Sequence, residues 1–202
     1  MSEQKQTIHV VDDDEAMRDS MTWLLEGEGY TVACYDSAAS FLAARNDRMR
    51  GCIVLDVRMP EMSGLELHEK LEALGSRLPV IFVTGHGDVP MAVSALQRGA
   101  CDFIEKPFNN EDLLSRIKRA LELDCQLAAR RQRDSIIEHR LGQLTQRERE
   151  VMQLVVAGKL NKQVADQLDI SMKTVEAHRA RVMEKMGVRT LAELVKAVMT
   201  VN

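Results

Sequence analysis

Aromatic side chains are scarce in this chain of 202 residues, which has one Trp, two Tyr and four Phe. Apolar residues still reach 45%, so aliphatic side chains and 12 Met must fill any core. Long apolar runs are missing too, and residues 1–6 are mainly polar. A membrane-spanning helix needs about 20 apolar residues, and a secretory signal contains an apolar stretch of about 7 to 15. We therefore expect neither, and we predict a cytoplasmic protein without membrane contact.

The cysteines form no recognisable pattern. Cys34, Cys52, Cys101 and Cys125 are widely scattered, with no C-x-x-C spacing, and the five histidines include no H-x-x-x-H pair. Disulfide frameworks and zinc sites use such regular spacings. We therefore expect reduced thiols in a reducing compartment.

The two ends of the chain carry opposite charge, and its length suits one large domain or two small ones. Residues 1–124 have 13 Lys and Arg against 22 Asp and Glu, a net charge of −9. Residues 125–202 have 14 against 9, a net charge of +5. The acidic part suggests a cation or signalling site and the basic part a polyanionic partner, although solvated charged faces would give the same counts.

The chain is organised around residues 52–60, Cys-Ile-Val-Leu-Asp-Val-Arg-Met-Pro. Three apolar residues in a row are typical of a strand in a parallel sheet that is covered on both faces. Asp56 would end this strand, Pro60 cannot continue it, and Gly64 permits a turn. The alternative is that Asp56 is a capping residue in a loop.

Strands and helices are predicted to alternate through the first 122 residues. We predict strands at 8–11, 31–35, 52–56, 80–83 and 101–105, and helices at 16–28, 37–44, 64–74 and 91–96. A longer helix begins at 109 or 110, and Asp14 is a candidate N-cap of the first helix. This alternation predicts an α/β fold with a parallel sheet and right-handed crossovers.

Polar side chains follow four of these strands at their carboxyl ends. They are Asp12 and Asp13, Asp56, Thr84 and Lys106. The carboxyl ends of parallel strands share one edge of the sheet, where ligands bind. Carboxylates with a hydroxyl and an ammonium form an oxygen-rich Mg²⁺ site that suits phosphoryl transfer.

These motifs resemble the receiver domain of two-component response regulators over about residues 7–122. The resemblance rests on Asp12-Asp13, on Asp56-x-x-Met59-Pro60-x-x-x-Gly64, on Thr84-Gly85 and on Lys106-Pro107-Phe108. It implies a flavodoxin-like five-stranded parallel sheet of order 2-1-3-4-5.

The resemblance also implies roles for the pocket residues. Asp56 would accept a phosphoryl group from a kinase phosphohistidine, and Lys106, before a cis proline, would neutralise a phosphoryl oxygen. Mg²⁺ would be held by Asp13, by Asp56 and by the Arg58 backbone carbonyl directly, and by Asp12 through water. The switch residues would be Thr84, whose hydroxyl would bind the phosphoryl oxygen, and Phe103, which matches the family's switch aromatic.

Other interpretations of these residues stay open. Phe103 could be a plain core residue and Thr84 a plain cap. Arg58 and His86, two positions after Asp56 and Thr84, flank the pocket, and we expect them to set the lifetime of the phosphoryl group by controlling water access.

Residues 123–137 are predicted to be a helical linker, because a helical stripe of leucines leads into polar sequence without Pro or Gly before Gly142. The cluster of Arg130, Arg131 and Arg133 could contact phosphates or form a solvated helix face.

A helix-turn-helix is predicted in the basic part. Thr145 and Glu148 form a capping box before a helix to 157, and helices follow at 161–168, at 172–186 and after Thr190. The short turn between the second and third helices, and the basic third helix, are typical of a recognition helix that enters a DNA groove.

This part resembles the LuxR/NarL-type four-helix DNA-binding domain over about residues 138–202, and with residues 86–90, His-Gly-Asp-Val-Pro, the chain resembles FixJ-type regulators. The resemblance implies base contacts from Glu176, Ala177 and Ala180. The other predicted DNA-contacting residues are Lys162, Lys173, Thr174, His178, Arg179, Arg181 and Lys185. A protein-binding surface is the alternative.

We therefore predict a bacterial transcriptional regulator and not an enzyme. A sensor histidine kinase would phosphorylate Asp56 with Mg²⁺, and the receiver would then form a homodimer through the helix at 91–96, the fifth strand and the helix after it. The dimer would bind double-stranded DNA at paired half-sites about one helical turn apart, and RNA polymerase is a further possible partner. One alternative is a Mg²⁺-dependent phosphatase, but this chain has Arg58 where such a mechanism needs a general acid. The other alternative is a DNA-binding protein with a vestigial receiver.

Overall fold

The structure is a computed structural model that describes residues 5–85 and 99–201. The chain divides into two compact units, Met1–Ala128 and Ala129–Asn202. They are called the N-terminal and C-terminal units below, and each is described by itself. No described helix is long and apolar enough to cross a membrane.

A five-stranded parallel sheet forms the centre of the N-terminal unit, with strand order β2-β1-β3-β4-β5. The strands are β1 (Thr7–Val11), β2 (Val32–Tyr35), β3 (Gly51–Asp56), β4 (Val80–Thr84) and β5 (Asp102–Glu105). The predicted fold class and strand order are therefore confirmed. β2 and β5 each begin one residue later than predicted, and Thr84 belongs to β4.

The register aligns the strands at their carboxyl ends. Val11 pairs with Leu55, Asp56 with Val83, and Thr84 with Glu105. Every residue of β3 is buried, which explains why its sequence lacks the alternation of a half-exposed strand. This alignment puts the residues after β1, β3 and β5 at one edge of the sheet.

Helices cover both faces of the sheet. They are α1 (Glu15–Gly27), α2 (Ala38–Ala44), α3 (Gly64–Ala73) and the long helix α4 (Asn110–Gly142). Phe41, Leu67 and Leu71 of α2 and α3 pack on one face. Leu25 and Leu113, from α1 and α4, pack on the other. The predicted helix at 91–96 and His86 lie outside the described residues.

Side-chain caps begin three of these helices. Asp14 accepts hydrogen bonds from the Ala16 and Met17 amides, which confirms it as the N-cap of α1. Ser37 and Ser63 form capping boxes at α2 and α3. Each cap satisfies an amide that the first helical turn leaves unpaired, which fixes where the helix begins.

Residues 123–137, predicted as a helical linker, lie within α4. The beginning of this stretch is nevertheless part of the N-terminal unit. Asp124 is fully buried and accepts hydrogen bonds from Arg50, from Gln6 and from the Gly51 amide. A buried carboxylate needs such partners, so α4 is tied to the start of β3.

The C-terminal unit contains the end of α4 and four shorter helices. These are α5 (Gln146–Val156), α6 (Asn161–Leu168), α7 (Met172–Met186) and α8 (Leu191–Val201). Val164, Val175 and Val151 pack together between α5, α6 and α7. Asp169 ends α6 in the left-handed conformation, with φ of 52°, and Ser171 caps α7. The tight turn between α6 and α7 confirms the helix-turn-helix.

Candidate functional site

Three side chains meet at the carboxyl edge of the sheet. Lys106 Nζ lies 2.7 Å from Asp56 Oδ1 and 3.0 Å from Asp12 Oδ2. These residues come from the ends of β3 and β1 and from the position after β5, which the parallel register brings side by side. The result is one ammonium group shared by two carboxylates.

The pocket is largely shielded from water. Asp12 is 2% exposed and Asp56 7% exposed. Burial raises the pKa of Asp56, and the hydrogen bond and charge of Lys106 oppose that rise. Burial lowers the pKa of Lys106, but hydrogen bonds to Asp56 and Asp12 outweigh burial and raise it overall. Lys106 is therefore cationic at neutral pH, and it compensates the two carboxylates.

Backbone amides hold the carboxylates in place. The Arg58 amide donates to Asp56 Oδ2 at 2.7 Å, and the Asp14 amide donates to Asp12 Oδ1 at 2.9 Å. Gly64 lies against the same loop, where the methyl group of an alanine would come within 2.1 Å of the Asp56 carbonyl oxygen. The two carboxylate oxygens of Asp56 therefore have different partners, Lys106 at Oδ1 and the Arg58 amide at Oδ2. Gly64 lies against the backbone carbonyl of the same residue.

Neither the Thr84 hydroxyl nor the Phe103 ring takes part in the described side-chain hydrogen bonds of the pocket, although the Thr84 carbonyl accepts from the Lys106 amide at 2.7 Å. Thr84 is fully buried, and its hydroxyl donates to the Gly85 carbonyl at 3.3 Å. Phe103, on β5, packs against the core on the α2–α3 face of the sheet. The Lys106–Pro107 bond is cis, as the resemblance implied.

A magnesium ion suits the oxygen donors at this edge if it keeps part of its water shell. Among residues 5–85 and 99–201, no three His, Cys, Asp or Glu side chains form a ready-made metal cluster. Lys106 stands between Asp12 and Asp56, while Asp13 is exposed on the neighbouring position. Mg²⁺ is usually held by one or two carboxylates, waters and substrate phosphates. The donor set therefore fits Mg²⁺ but does not form a closed cage.

The recognition helix α7 presents one exposed face. Its buried side is formed by Val175, Val182 and Met186. The exposed residues recur at helical spacing and include five of those predicted to meet DNA, namely Lys173, Glu176, Ala177, Ala180 and Arg181. All three residues predicted to face base edges therefore share a solvent-facing stripe.

The remaining predicted DNA-contacting residues lie beside this face. Lys162 is exposed on α6. The Thr174 hydroxyl lies 2.8 Å from that of Ser171, and Arg179 donates to Asn161 Oδ1. His178 is half-buried, and its Nδ1 has no hydrogen-bond partner among the described residues. Their assignment to phosphates stays a prediction.

Lys185, which is predicted to contact DNA, is paired with a carboxylate in the structure. Its Nζ lies 2.6 Å from Oε2 of Glu148 and 3.2 Å from the Gln143 carbonyl oxygen. Glu148 is 3% exposed. The hydrogen bond from Lys185 lowers the pKa of Glu148 to about 2, helped by the Thr145 amide. This ion pair competes with a phosphate contact, and the assignment of Lys185 to the DNA interface stays a prediction.

Several structurally important polar residues carry no signal in the sequence. Arg18 of α1 donates to the Asp12 carbonyl at 2.8 Å, and Arg140 donates to the Met186 carbonyl at 2.7 Å, at the end of α7. Asp124 lies in the stretch that is predicted to be a linker. Isolated charges on helices do not reveal such contacts, because the partner is distant along the chain.

Two family models match the chain. Residues 8–118 match the response regulator receiver domain, and residues 142–198 match the bacterial regulatory proteins of the luxR family. The chain therefore belongs to the two-component response regulators that join a receiver domain to a LuxR-family DNA-binding domain.

The resemblance to individual regulators extends over almost the whole chain. Response regulator TodT of Pseudomonas putida is 44% identical over 97% of this chain and 86% of its own length. Transcriptional regulatory protein FixJ of Rhizobium meliloti is 47% identical over 94% of this chain and 93% of its own length. The predicted resemblance to FixJ-type regulators is confirmed.

Solved structures agree with this relationship. The structure of response regulator StyR has a TM-score of 0.85 and 42% identity, and the match covers 97% of this chain and 99% of StyR. Full-length FixJ from B. japonicum has a TM-score of 0.61 and 43% identity, and the match covers 98% of each chain. The protein is a transcriptional response regulator.

Proposed function

We propose that phosphorylation of Asp56 by a sensor histidine kinase switches this protein to a form that binds DNA as a dimer. The observation that carries the proposal is the pairing of Lys106 with both Asp56 and Asp12 at the carboxyl edge of the sheet. An ammonium group in that position can neutralise the free Asp56 carboxylate before phosphorylation and an oxygen of the acyl phosphate after it. The alternative of a vestigial receiver does not account for a complete pocket.

The chemical step is an in-line phosphoryl transfer. A carboxylate oxygen of Asp56 attacks the phosphorus of the kinase phosphohistidine, so that an O–P bond forms while the N–P bond breaks and the imidazole leaves. The Arg58 amide orients the carboxylate, and Lys106 neutralises charge on the transferred group. The Lys–Asp contact must open or shift to admit the phosphoryl group.

Mg²⁺ belongs to this proposal as the resident cofactor. Asp13, Asp56 and the Arg58 carbonyl would hold it directly, and Asp12 would hold it through water. When bound, the ion would offset negative charge on the phosphoryl oxygens. Since Asp12 and Asp56 already share Lys106, the chain limits repulsion between its carboxylates before any ion binds.

The signal would leave the pocket through Thr84 and Phe103. The buried Thr84 hydroxyl donates to the neighbouring Gly85 carbonyl at a long distance, so a phosphoryl oxygen could replace that weak partner. We propose that Thr84 then moves its loop and that Phe103 repacks. The dimer surface would include β5 and the start of α4, and its third predicted element at 91–96 lies outside the described residues.

The C-terminal unit would bind DNA through the exposed face of α7. Glu176, Ala177 and Ala180 would face base edges, and a carboxylate at 176 would accept from a cytosine amino group. The phosphate-contacting set would be Lys162, Thr174, His178, Arg179 and Arg181, with Lys173 as a further DNA contact. We propose to leave out Lys185, which was predicted with them, because it pairs with Glu148. Two copies in a dimer would read half-sites about one helical turn apart.

We keep the remaining predictions as parts of this proposal. The protein would work in the cytoplasm, without enzymatic turnover, and RNA polymerase would meet it on DNA. The predicted domain limits are 7–122, 123–137 and 138–202. We propose one change, because the buried Asp124 makes the receiver extend at least to that residue.

The decisive experiment is intact mass spectrometry after incubation with a small-molecule phosphodonor, with and without Mg²⁺. Wild type should gain one phosphoryl group that depends on Mg²⁺, and Asp56→Asn should gain none. Asp36→Asn is the matched control, because Asp36 follows β2 at the same sheet edge but is exposed and lacks the Lys106 contact. A gain of mass in Asp56→Asn would contradict the assignment.

The link to DNA needs a second readout on the same samples. Phosphorylated wild type should bind DNA fragments selected with the full chain at least tenfold more tightly than Asp56→Asn does. Equal affinity of the two proteins would favour a phosphorylation-independent DNA-binding protein instead.

A further inference from the structure

An open groove on one side of the C-terminal unit includes Lys162 and Arg179 of the proposed phosphate-contacting set, but its apolar lining has no role in the functions described so far. Its volume is about 460 Å³, and it lies between the end of α5 and the beginnings of α6, α7 and α8. It will be called the α5–α8 groove. Its lining includes the buried Val155 and Arg179, whose guanidinium donates to Asn161. The groove is therefore a formed feature of the packed helices.

Exposed apolar side chains are concentrated around this groove. Leu160 is 71% exposed, Met172 50% and Leu191 40%, and all three line it. Only eight large apolar side chains are exposed among residues 5–85 and 99–201. Single exposed apolar residues are normal on a protein surface, but a cluster around a concave site is typical of an interaction surface.

The charge of the α5–α8 groove is entirely positive. Lys159, Lys162 and Arg179 line it, and no carboxylate is among its described lining residues. A partner must therefore bring apolar side chains and negative charge together. A DNA backbone supplies the charge but has no apolar surface, so it would leave Leu160, Met172 and Leu191 in water.

The groove opens beside the recognition face, not on it. Successive helical residues turn by about 100°, which puts Met172 and Arg179 more than about 90° around α7 from the centre of the exposed stripe around Ala177. A protein segment could occupy the groove while α7 lies on DNA. The occupant would then be a protein that meets this regulator at a promoter.

We propose that the α5–α8 groove binds an acidic, apolar-faced segment of RNA polymerase. This inference rests on the proposed DNA-binding function and adds a surface and a partner to it. Apolar side chains of the segment would contact Leu160, Met172 and Leu191, and a carboxylate of the segment would pair with Lys159. Such complementarity supplies specificity and favours rapid association.

The test uses the full chain, phosphorylated and bound to a DNA fragment selected with it, together with bacterial RNA polymerase holoenzyme. A photoreactive p-benzoylphenylalanine replaces Leu160, or Met199 as the matched control, because Met199 is 73% exposed in the same unit but does not line the groove. We expect position 160 to crosslink to polymerase at least fivefold more than position 199. Lys159→Glu in the same chain should reduce that crosslink at least fivefold.

The crosslinked partner also separates this proposal from its alternatives. Crosslinks from position 160 only to DNA, to the chain's own receiver or to a second copy would overturn it, as would equal crosslinking from position 199. If wild type binds no DNA at all, the proposed function fails and this inference fails with it.

A pair of substitutions then tests whether the groove matters for output. Leu160→Ser with Leu191→Ser should leave the DNA dissociation constant within twofold but change transcription from the bound fragment at least fivefold. Leu160 is the N-cap residue of α6 without a side-chain hydrogen bond, and Ser is a preferred N-cap. The Leu160→Ser substitution should therefore leave the folding of α6 intact. A parallel loss of DNA affinity, or unchanged transcription, would contradict the proposal.

Discussion

Single side chains in this protein owe their properties to how deeply the fold buries them. Lys106 keeps its charge because two carboxylates accept from it, and Glu148 is ionised because Lys185 donates to it. His9 is the contrasting case. It is 4% exposed in β1, its Nε2 has no partner among the described residues, and its ring packs near Tyr35 and Phe41.

We predict that His9 makes the N-terminal unit less stable in mild acid. Burial lowers its pKa below the ordinary value of 6.5, so the unfolded chain takes up a proton on this histidine before the native state does. The free energy of unfolding should be constant on this account above about pH 7 and should fall as the pH drops through 6.5. Urea unfolding followed by circular dichroism between pH 7.5 and 5.5 measures it.

The control for this pH dependence is His9→Phe, which keeps an aromatic ring beside Tyr35 and Phe41. The variant should show a smaller loss of stability on acidification than wild type. His68, whose pKa burial also lowers, is retained in both proteins, as is Asp56. Their contributions cancel in the comparison, and an identical pH profile of the two proteins would exclude His9 as the cause.

Two contacts with helices hold the two ends of β3. Gly64 begins α3 directly against the Asp56 carbonyl. Asp124, in the middle of α4, ties that helix to the start of β3 through Arg50 and the Gly51 amide. One contact lies at the carboxyl edge of the sheet and the other at its amino edge, so β3 is held at both ends.

We predict that Gly64→Ala slows phosphorylation by at least tenfold, which corresponds to about 1.4 kcal/mol in the barrier. The added methyl group would lie 2.1 Å from the Asp56 carbonyl oxygen, so the end of β3 must shift and take the acceptor carboxylate with it. A time course of intact mass with the phosphodonor measures the rate. Gly27→Ala is the control, because nothing lies within 4 Å of its new methyl group.

We predict that Asp124→Ala destabilises the N-terminal unit by about 3 to 5 kcal/mol, the usual loss when one partner of a buried ion pair is removed. Arg50 would keep its charge without a carboxylate, and the Gly51 amide would lose its acceptor. Hydrogen exchange of β3 and of the first half of α4 in the full chain measures the effect. Asp134→Ala on the same helix, outside this cluster, should leave those amides unchanged.

At the scale of the whole molecule, the two units carry opposite net charge and separate chemistry. The acidic unit gathers carboxylates around one lysine, and the basic unit presents Lys and Arg on α6 and α7. Binding to DNA should therefore weaken steeply with salt, because each phosphate contact releases counterions.

We predict different outcomes for two cations of α7. Arg181→Ala should weaken binding to all DNA sequences alike and reduce the slope of log affinity against log salt by about 1. Lys185→Ala should keep the slope, because its ammonium pairs with Glu148. It should instead destabilise the C-terminal unit, by leaving Glu148 buried without its cation. A fluorescence polarisation titration at several salt concentrations distinguishes the two, and an equal change of slope would show that Lys185 does reach DNA.

Local patterns along the chain are sufficient to predict most of the fold. The all-apolar run before Asp56 indicates a strand buried on both faces, and Asp14, Ser37, Thr145 and Ser171 mark helix starts, because capping depends on residues only two or three positions away. The polar residues of the pocket are also predicted together, since each follows a strand of one parallel sheet. The predicted ends of helices and strands differ from the observed ends by about one residue, because tertiary hydrogen bonds also determine where an element ends.

The two folds and the set of groups at the carboxyl edge of the sheet can be predicted from the residues alone, because periodicity, caps and strand ends are local properties. The partner of each charged side chain, in contrast, depends on the folded chain. In the folded chain Lys106 lies between Asp12 and Asp56, Lys185 pairs with Glu148, and Asp124, which belongs to the predicted linker, is buried. Each pairing joins residues far apart in the chain, and the energy of a charge depends on burial and on neighbours that only the folded chain supplies.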